Sequence, residues 1–397
     1  MISNKGNNVP VIMYHSVVPK ENLWSSISDP LDQFEKVLCN LTETGFHTIF
    51  LCDLYLFLKM SKRLPDKPIV LTFDDGYLDN WLHVFPLLKK YGQKATVFPA
   101  LEFIADGKPR LLQEERNLEH NVGYMNWSEL KIMQNSGYVD IQSHTMTHTW
   151  KFSSPEVMTF LTPCADFNWI EWNRDKSLKP FWEPHKTLPE LTAGYPLFKY
   201  GRALGVREFI PNDCFVQTVI DTVSRNGGID FLESHSSAQI LHELVRSFSP
   251  HKRGRLETDY EFERRIDYEL GESRDQLSSR LGKPVKFLCW PGGGWHPFIG
   301  DKWKKYGYLA TSLPSNITNR KSNSPGDSPE SFVRISSGLG EWKFRGKTVG
   351  RLNSRFFKSK LDHFFEIPGS LSRMRFVKLI ILLRNILNQS RGSIVNR

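Results

Sequence analysis

A chain of 397 residues, 40% apolar and 24% charged, can bury a large core, which excludes a disordered chain and a small disulfide-stapled module. Its five cysteines (Cys39, Cys52, Cys164, Cys214, Cys289) are odd in number and form no CxxC pair, so neither a disulfide framework nor a zinc ribbon is expected and the thiols read as reduced. The net charge of +9 is unevenly placed: residues 341–397 carry 13 Lys/Arg against 3 Asp/Glu, leaving 39 against 40 elsewhere, so the body is near neutral and the tail points to an anionic surface.

The N-terminal segment 1–8 is polar as a whole, and the apolar run Val9–Tyr14 is too short for the core of a signal peptide, so no secretory signal is expected. That run reads as a buried strand with His15 at its C-terminal end. Leu31, Phe34, Val37, Leu38 and Leu41 then follow a helical period after Asp29-Pro30, which reads as the capping segment. A short strand at 46–50 and a helix at 51–60 lead to Pro68-Ile69-Val70-Leu71-Thr72-Phe73, a buried parallel strand that ends in Asp74-Asp75-Gly76. Neighbouring residues on a strand face opposite ways, so the two carboxylates are expected to do different work.

A helix over 80–91 stopped by Gly92, a strand over 94–99, and a helix opened by Ser128 and ending near Gly137 continue the β/α rhythm. The strand Asp140–His144 carries its ionisable end into His144-Thr145-Met146-Thr147-His148. Residues 149–256 break the rhythm. They are rich in aromatic residues and proline and read as an inserted cap whose aromatics form its own core.

A charged helix over 257–281 closed by Gly282, a strand over 285–290 ending in Pro291-Gly292-Gly293-Gly294-Trp295, a helix over 301–305, and strands at 308–313 and 332–335 complete the body. The tail holds a Phe-rich segment (Phe356, Phe357, Leu361, Phe364, Phe365) and an apolar helix over 371–387 interrupted by Arg373, Arg375, Lys378 and Arg384. It is too short and charged for a membrane span, and its charges fall on two sides of the helical wheel, so it is not cleanly amphipathic either; it reads as a peripheral anchor on anionic lipid, with a docked C-terminal helix as the alternative.

Two histidines four residues apart, joined by a carboxylate from a neighbouring parallel strand, make the open three-ligand shell of a catalytic zinc-type site. In these residues the chain resembles the polysaccharide deacetylase family, the carbohydrate esterase group that includes nodulation-type chitooligosaccharide deacetylases. Thr72–Gly76 matches its Thr-Phe-Asp-Asp-Gly motif in full; His144, Thr145 and His148 match its His-Ser/Thr-x-x-His motif.

The resemblance implies an α/β fold, a distorted (β/α) barrel over about 9–148 and 257–337 within a body of 9–340, interrupted by the cap and followed by the basic helical tail of 341–397. It implies a divalent metal, zinc or else cobalt, nickel or manganese, held by Asp75, His144 and His148, with Asp74 as general base. The family's third motif is altered, since Cys289 stands at the arginine position and removes the charge partner expected for the base. Backbone N–H groups at Gly292 and Gly293 form a candidate oxyanion site, with Trp290, Trp295 and Tyr77 as substrate contacts. The family's late Leu-x-His is missing from Phe332–Ser337. A poly-N-acetylglucosamine de-N-acetylase-like subset takes that histidine from an N-terminal Tyr-His strand, and Tyr14-His15 matches, which makes His15 the candidate general acid.

The expected activity is therefore metal-dependent removal of an N-acyl group, N-acetyl above all, from an amino sugar in a glycan or lipid-linked sugar of cell-surface polysaccharide assembly. The alternative is a glycan- or lipid-binding barrel without turnover. The expected partner is a carbohydrate, with an anionic membrane surface for the tail and no nucleic acid; the expected location is cytoplasmic, at the inner face of the cytoplasmic membrane. Oligomeric state is left open.

Overall fold

The apolar runs of the sequence become the strands of one parallel sheet in the computed structural model, which describes residues 8–20, 26–111, 123–162, 167–182, 193–314 and 323–395. The chain begins β1 (Val11–Tyr14), β2 (Ser16–Val18), β3 (Ser28–Pro30), α1 (Leu31–Glu43), β4 (His47–Thr48), α2 (Leu51–Met60), β5 (Pro68–Asp75), α3 (Phe85–Tyr91), β6 (Ala95–Pro99), α4 (Trp127–Asn135) and β7 (Val139–Ile141). It continues through β8 (Trp150–Phe160), α5 (Asn168–Arg174), β9 (Pro196–Arg202), β10 (Phe209–Pro211), α6 (Asp213–Arg225), α7 (Ile229–Glu233), α8 (Ser237–Ser247), α9 (Pro250–Arg253) and β11 (Gly254–Leu256). It ends with α10 (Asp259–Ile266), α11 (Ser273–Leu281), β12 (Phe287–Cys289), α12 (Lys302–Lys305), β13 (Ala310–Pro314), β14 (Ser331–Ser336), β15 (Glu341–Phe344), β16 (Lys347–Arg351), α13 (Ser354–Phe364) and α14 (Ser370–Val395).

The main sheet runs β12-β13-β14-β1-β5-β6-β7 with every neighbouring pair parallel, and β4 lies along β5. Just beyond β7, Ser143 bridges Leu288 of β12, and the Cys289 N–H donates to the Ser143 carbonyl at 2.9 Å. The two edges thus meet, and the ladder closes into a distorted (β/α) barrel. Parallel closure puts the C-terminal ends of β1, β5, β6, β7, β12 and β14 at one mouth, the end at which such barrels carry their chemistry. β5 is buried along its whole length, as an apolar central strand should be.

The chain falls into two compact units: residues 1–144, 277–289 and 308–397 make the first, and 145–276 with 290–307 the second. In the first, α1 buries Phe34, Val37, Leu38 and Leu41 on one face, each contributing roughly 1.5–3 kcal/mol by leaving water. Its N-cap is Pro30 with no side-chain cap, so Asp29 does not do the expected capping; it is buried. For α4 the cap is Asn126, which accepts from the Glu129 N–H at 3.0 Å while the Glu129 carboxylate returns the bond, and not Ser128, which donates to the Gly107 carbonyl. Cys39, Cys52, Cys214 and Cys289 form no disulfide among the described residues; Cys164 lies outside them.

Residues 341–395 fall within the first unit. An unforeseen hairpin, β15–β16, precedes α13, whose Phe356, Phe357 and Leu361 are buried within the first unit; Asn353 caps it by accepting from the Phe356 N–H at 3.2 Å. The spacing of these residues puts them on one helical face, and α13 packs against α1 and α14. In the second unit, Phe152, Trp169, Phe198, Phe209 and Phe215 form a core with Phe167, Trp172 and Tyr195 packed around it, the role expected for the aromatics of the insert. That unit also takes in residues 257–276 and 290–307. The long helix expected there is broken by a π-helical turn at Asp267–Glu272, between α10 and α11.

Candidate active site

β5 delivers two carboxylates to the barrel mouth in opposite directions. Thr72 and Asp74, two residues apart, share a face, and Arg334 of β14 reaches both, at 3.4 Å from Thr72 Oγ1 and 2.7 Å from Asp74 Oδ1. The guanidinium also meets Asp74 Oδ2 at 2.9 Å, a two-pronged charge-assisted pair with both partners buried. Burial alone would raise the Asp74 carboxyl, but the Arg334 charge outweighs it and holds the group below its ordinary value. Asp74 is therefore a carboxylate at neutral pH.

Cys289, at the end of β12, stands beside this pair, with Sγ 2.9 Å from Arg334 Nη2 and 3.6 Å from Asp74 Oδ2. This corrects the sequence expectation that Cys289 leaves the base without a charge partner. The arginine comes from β14 instead, and the smaller thiol leaves room for it. Nothing but a single cation in the apolar run Phe332–Ile335 signalled it in the sequence.

Asp75 leaves strand geometry, with φ of 71°, and its Oδ1 lies 3.1 Å from His144 Nε2. The other nitrogen of His144, Nδ1, is 2.9 Å from the Cys289 carbonyl oxygen, which only an N–H can satisfy. That bond keeps a proton on Nδ1, so Nε2 is the nitrogen that faces the Asp75 carboxylate. Burial would lower the imidazole, but Cys289, Asp75 and Asp74 around it hold it well above its ordinary value, so that without a metal ion Nε2 donates to Asp75. The turn demands Gly76: φ is 83°, and a Cβ there would stand 2.9 Å from Pro99 Cβ. Tyr77 is buried, stacks on Tyr124 with ring centres 5.1 Å apart, and bonds Asp75 through its hydroxyl. Its place is behind Asp75 and not at an open substrate surface.

His15 follows β1 and puts Nε2 3.9 Å from Asp74 Oδ2, beyond hydrogen-bond reach, with its side chain partly open to solvent. Its backbone is pinned from below. Asn80 Nδ2 donates to the His15 carbonyl at 2.9 Å, and buried Asp79 accepts from Ser16 Oγ at 2.6 Å, the Val17 N–H at 3.0 Å and Asn80 at 2.7 Å. Asp79 and Asn80 escaped the sequence reading because they sit in what reads as a helix start.

In the second unit, His148 has a φ of 43° and Thr145 one of 67°, so the segment that leaves His144 is tightly bent. The Glu269 carboxylate clamps it, accepting from the Met146 N–H at 3.1 Å, the Thr147 N–H at 3.0 Å and Thr147 Oγ1. Trp290, Gly292, Gly293 and Trp295 belong to this unit too. Trp290 is buried and Trp295 exposed. A Cβ at Gly292 would overlap the Arg202 guanidinium, which itself lies over the Trp150 ring at 4.0 Å. Close packing by Arg202 is thus a sufficient reason for that glycine.

Asp74, His144 and Cys289 also bring donor atoms within 4.8 Å of one another, yet the Arg334 cation already holds both Asp74 oxygens and opposes a second positive charge there. Asp75 with His144 Nε2 is the better donor set. An oxygen and an imidazole nitrogen, the latter backed by a carbonyl, suit a divalent ion of zinc type.

Fold and site together define a (β/α) barrel with a carboxylate and imidazole centre at its mouth. Residues 61–169 match the family model described as polysaccharide deacetylase. YxkH of Bacillus subtilis, which carries the name of a polysaccharide deacetylase, is 33% identical over 146 residues, 37% of this chain and 45% of that one. The poly-beta-1,6-N-acetyl-D-glucosamine N-deacetylase of Escherichia coli K12 is 27% identical over 105 residues, 26% of this chain and 16% of that one. The chain thus spans less than half the length of these relatives. Among solved structures, a de-N-acetylase from Aggregatibacter actinomycetemcomitans shares the fold with a TM-score of 0.51 at 18% identity, over 83% of this chain and 94% of that one. The BpsB deacetylase domain from Bordetella bronchiseptica does so with a TM-score of 0.50 at 19% identity, over 83% and 96%.

Proposed function

We propose that this chain hydrolyses the N-acetyl group of an amino sugar in a glycan or lipid-linked sugar, in cell-surface polysaccharide assembly. The observation that carries the reading is the division of the doublet: Asp74 is held ionised by Arg334, while Asp75 turns to His144 Nε2. The name of the Escherichia coli relative supports the substrate class.

Asp75, His144 and His148 would hold a divalent ion, zinc in our assignment. When bound, such an ion supplies Lewis acidity toward the amide carbonyl and acidity to a water. Asp74 accepts the proton of the attacking water, and Arg334 keeps its carboxylate fixed and charged between turnovers. The departing amine needs a proton, because an amide anion is a poor leaving group. His15, beside Asp74 and open to solvent on one side, supplies it.

The test is amine release from β-1,6-linked N-acetylglucosamine oligomers, followed by fluorescamine, with and without a chelator. Metal-restored activity is expected. Full activity in a metal-free preparation overturns metal dependence. If neither these oligomers nor lipid-linked N-acetyl sugars release amine while the protein still binds them, the barrel binds glycan without turnover.

A further inference from the structure

Helix α14 shows an apolar stripe to solvent. Phe376, Leu379, Leu383 and Ile386 are 62%, 49%, 49% and 54% exposed. At 100° per residue these four fall within an arc of about 80°. The opposite face is docked: Ser370 and Val377 are buried, and Ile381 lies against Gly350 of β16. Four exposed large apolar side chains in line are more than an ordinary surface carries and mark an interaction face.

What that face fits is set by its charges. Residues 370–395 hold five Lys/Arg and no Asp or Glu. With the inner face identified, the charges no longer scatter: Arg375 borders the stripe on one side, and Arg373 and Arg384 lie along the other. On that second side a groove of about 670 Å³ between α1, α13 and α14 is lined by Lys36, Arg355, Lys358, Arg373 and Arg384. Asp362 within it is already taken by Lys358 at 3.1 Å and Arg373 at 3.1 Å. Lys378 points inward, its Nζ 5.5 Å from the Trp342 ring and 5.3 Å from that of Phe356. No helix among the described residues is long and apolar enough to cross a membrane.

We propose that α14 lies on an anionic lipid bilayer, the stripe of Phe376, Leu379, Leu383 and Ile386 entering the acyl boundary and Arg375, Arg384 and the cationic groove taking lipid phosphates. An apolar stripe between two cationic flanks is the arrangement that lies in an interface, since long basic side chains reach headgroups while the stripe is immersed. The proposal is independent of the enzymatic reading.

The test is co-sedimentation of the full chain with vesicles of phosphatidylcholine alone or with one quarter phosphatidylglycerol, at low and high salt. The wild type is expected to partition onto the anionic vesicles, weakly onto the neutral ones, and less at high salt. Phe376→Ser with Leu383→Ser, and separately Arg375→Glu with Arg384→Glu, should each lower partitioning at least about tenfold with an unchanged circular-dichroism melt. No binding by the wild type, equal binding to neutral vesicles, or full binding by both double variants overturns the proposal. So does a concentration-dependent dimer in sedimentation that the Phe376→Ser, Leu383→Ser variant abolishes, since the stripe then meets a second copy.

Discussion

Arg334 holds both oxygens of Asp74, Nη1 at 2.7 Å from one and Nη2 at 2.9 Å from the other, across the interior of the barrel. The pair is buried, so each charge depends on its partner. Removing one member of such a pair costs about 3–5 kcal/mol. Arg334→Met should therefore lower the urea midpoint by that equivalent. It should also move the acid limb of the rate profile to higher pH, by about one unit or more, because the charge that holds Asp74 down is gone. Arg334→Lys keeps the charge without the fork and should shift the limb less. An unmoved limb in Arg334→Met would remove Asp74 as the base.

The division between Asp74 and Asp75 is separable by metal content. Asp75→Asn and His144→Ala should lose bound divalent metal, measured by plasma mass spectrometry, because each removes a donor from the pair 3.1 Å apart. Asp74→Asn should keep the metal and lose at least about a hundredfold in turnover, the usual weight of a general base. Loss of metal in Asp74→Asn would shift the centre to the Asp74, His144 and Cys289 cluster.

How much of this could be read from the sequence depends on whether the signal is local. The strand ending in Asp74-Asp75-Gly76 and the pair His144 and His148 are each weak signals alone and become readable together, because both are short local motifs at the ends of apolar strands. Arg334 does not, because its partner is 260 residues away and is set by which strands become neighbours on closure. Glu269 is hidden for the same reason: as one acid in a charged helix, it reads as solvated surface, yet it is buried under the Met146–Thr147 segment. The wheel of α14 shows charge on two sides, and only docking of the third face makes those sides flanks.

Gly76 separates conformational strain from crowding. Gly76→Ala puts an L-residue at φ of 83° and a Cβ 2.9 Å from Pro99 Cβ, whereas Gly137→Ala meets the same kind of angle, 76°, with nothing within 4 Å. Left-handed backbone costs a side chain about 1–2 kcal/mol. Both variants should lose that much in urea denaturation, and Gly76→Ala more. Its turnover should fall as well, since the turn aims Asp75; equal losses would mean that Pro99 gives way.

Asp79 should impose a pH dependence on stability. Burial pushes its carboxyl up to about 7 against the hydrogen bonds from Ser16, Val17 and Asn80, which act the other way. Folded, the group holds its proton more tightly than in the unfolded chain, where it titrates near 4. Its contribution is therefore fully present below about pH 4 and is lost as pH rises toward 7, at about 1.4 kcal/mol per unit. Asp79→Asn imitates the protonated side chain: its oxygen still accepts from Val17 and Asn80, and its amide donates to Ser16 Oγ. Urea midpoints between pH 4 and pH 8 should therefore slope downward for the wild type and run flatter for Asp79→Asn, the two meeting at the acid end. Parallel curves would show that Asp79 is ionised in the folded state. The His15 backbone, tied to Asp79 through Asn80, would then be held by a charge and not by a neutral hydrogen-bonded group.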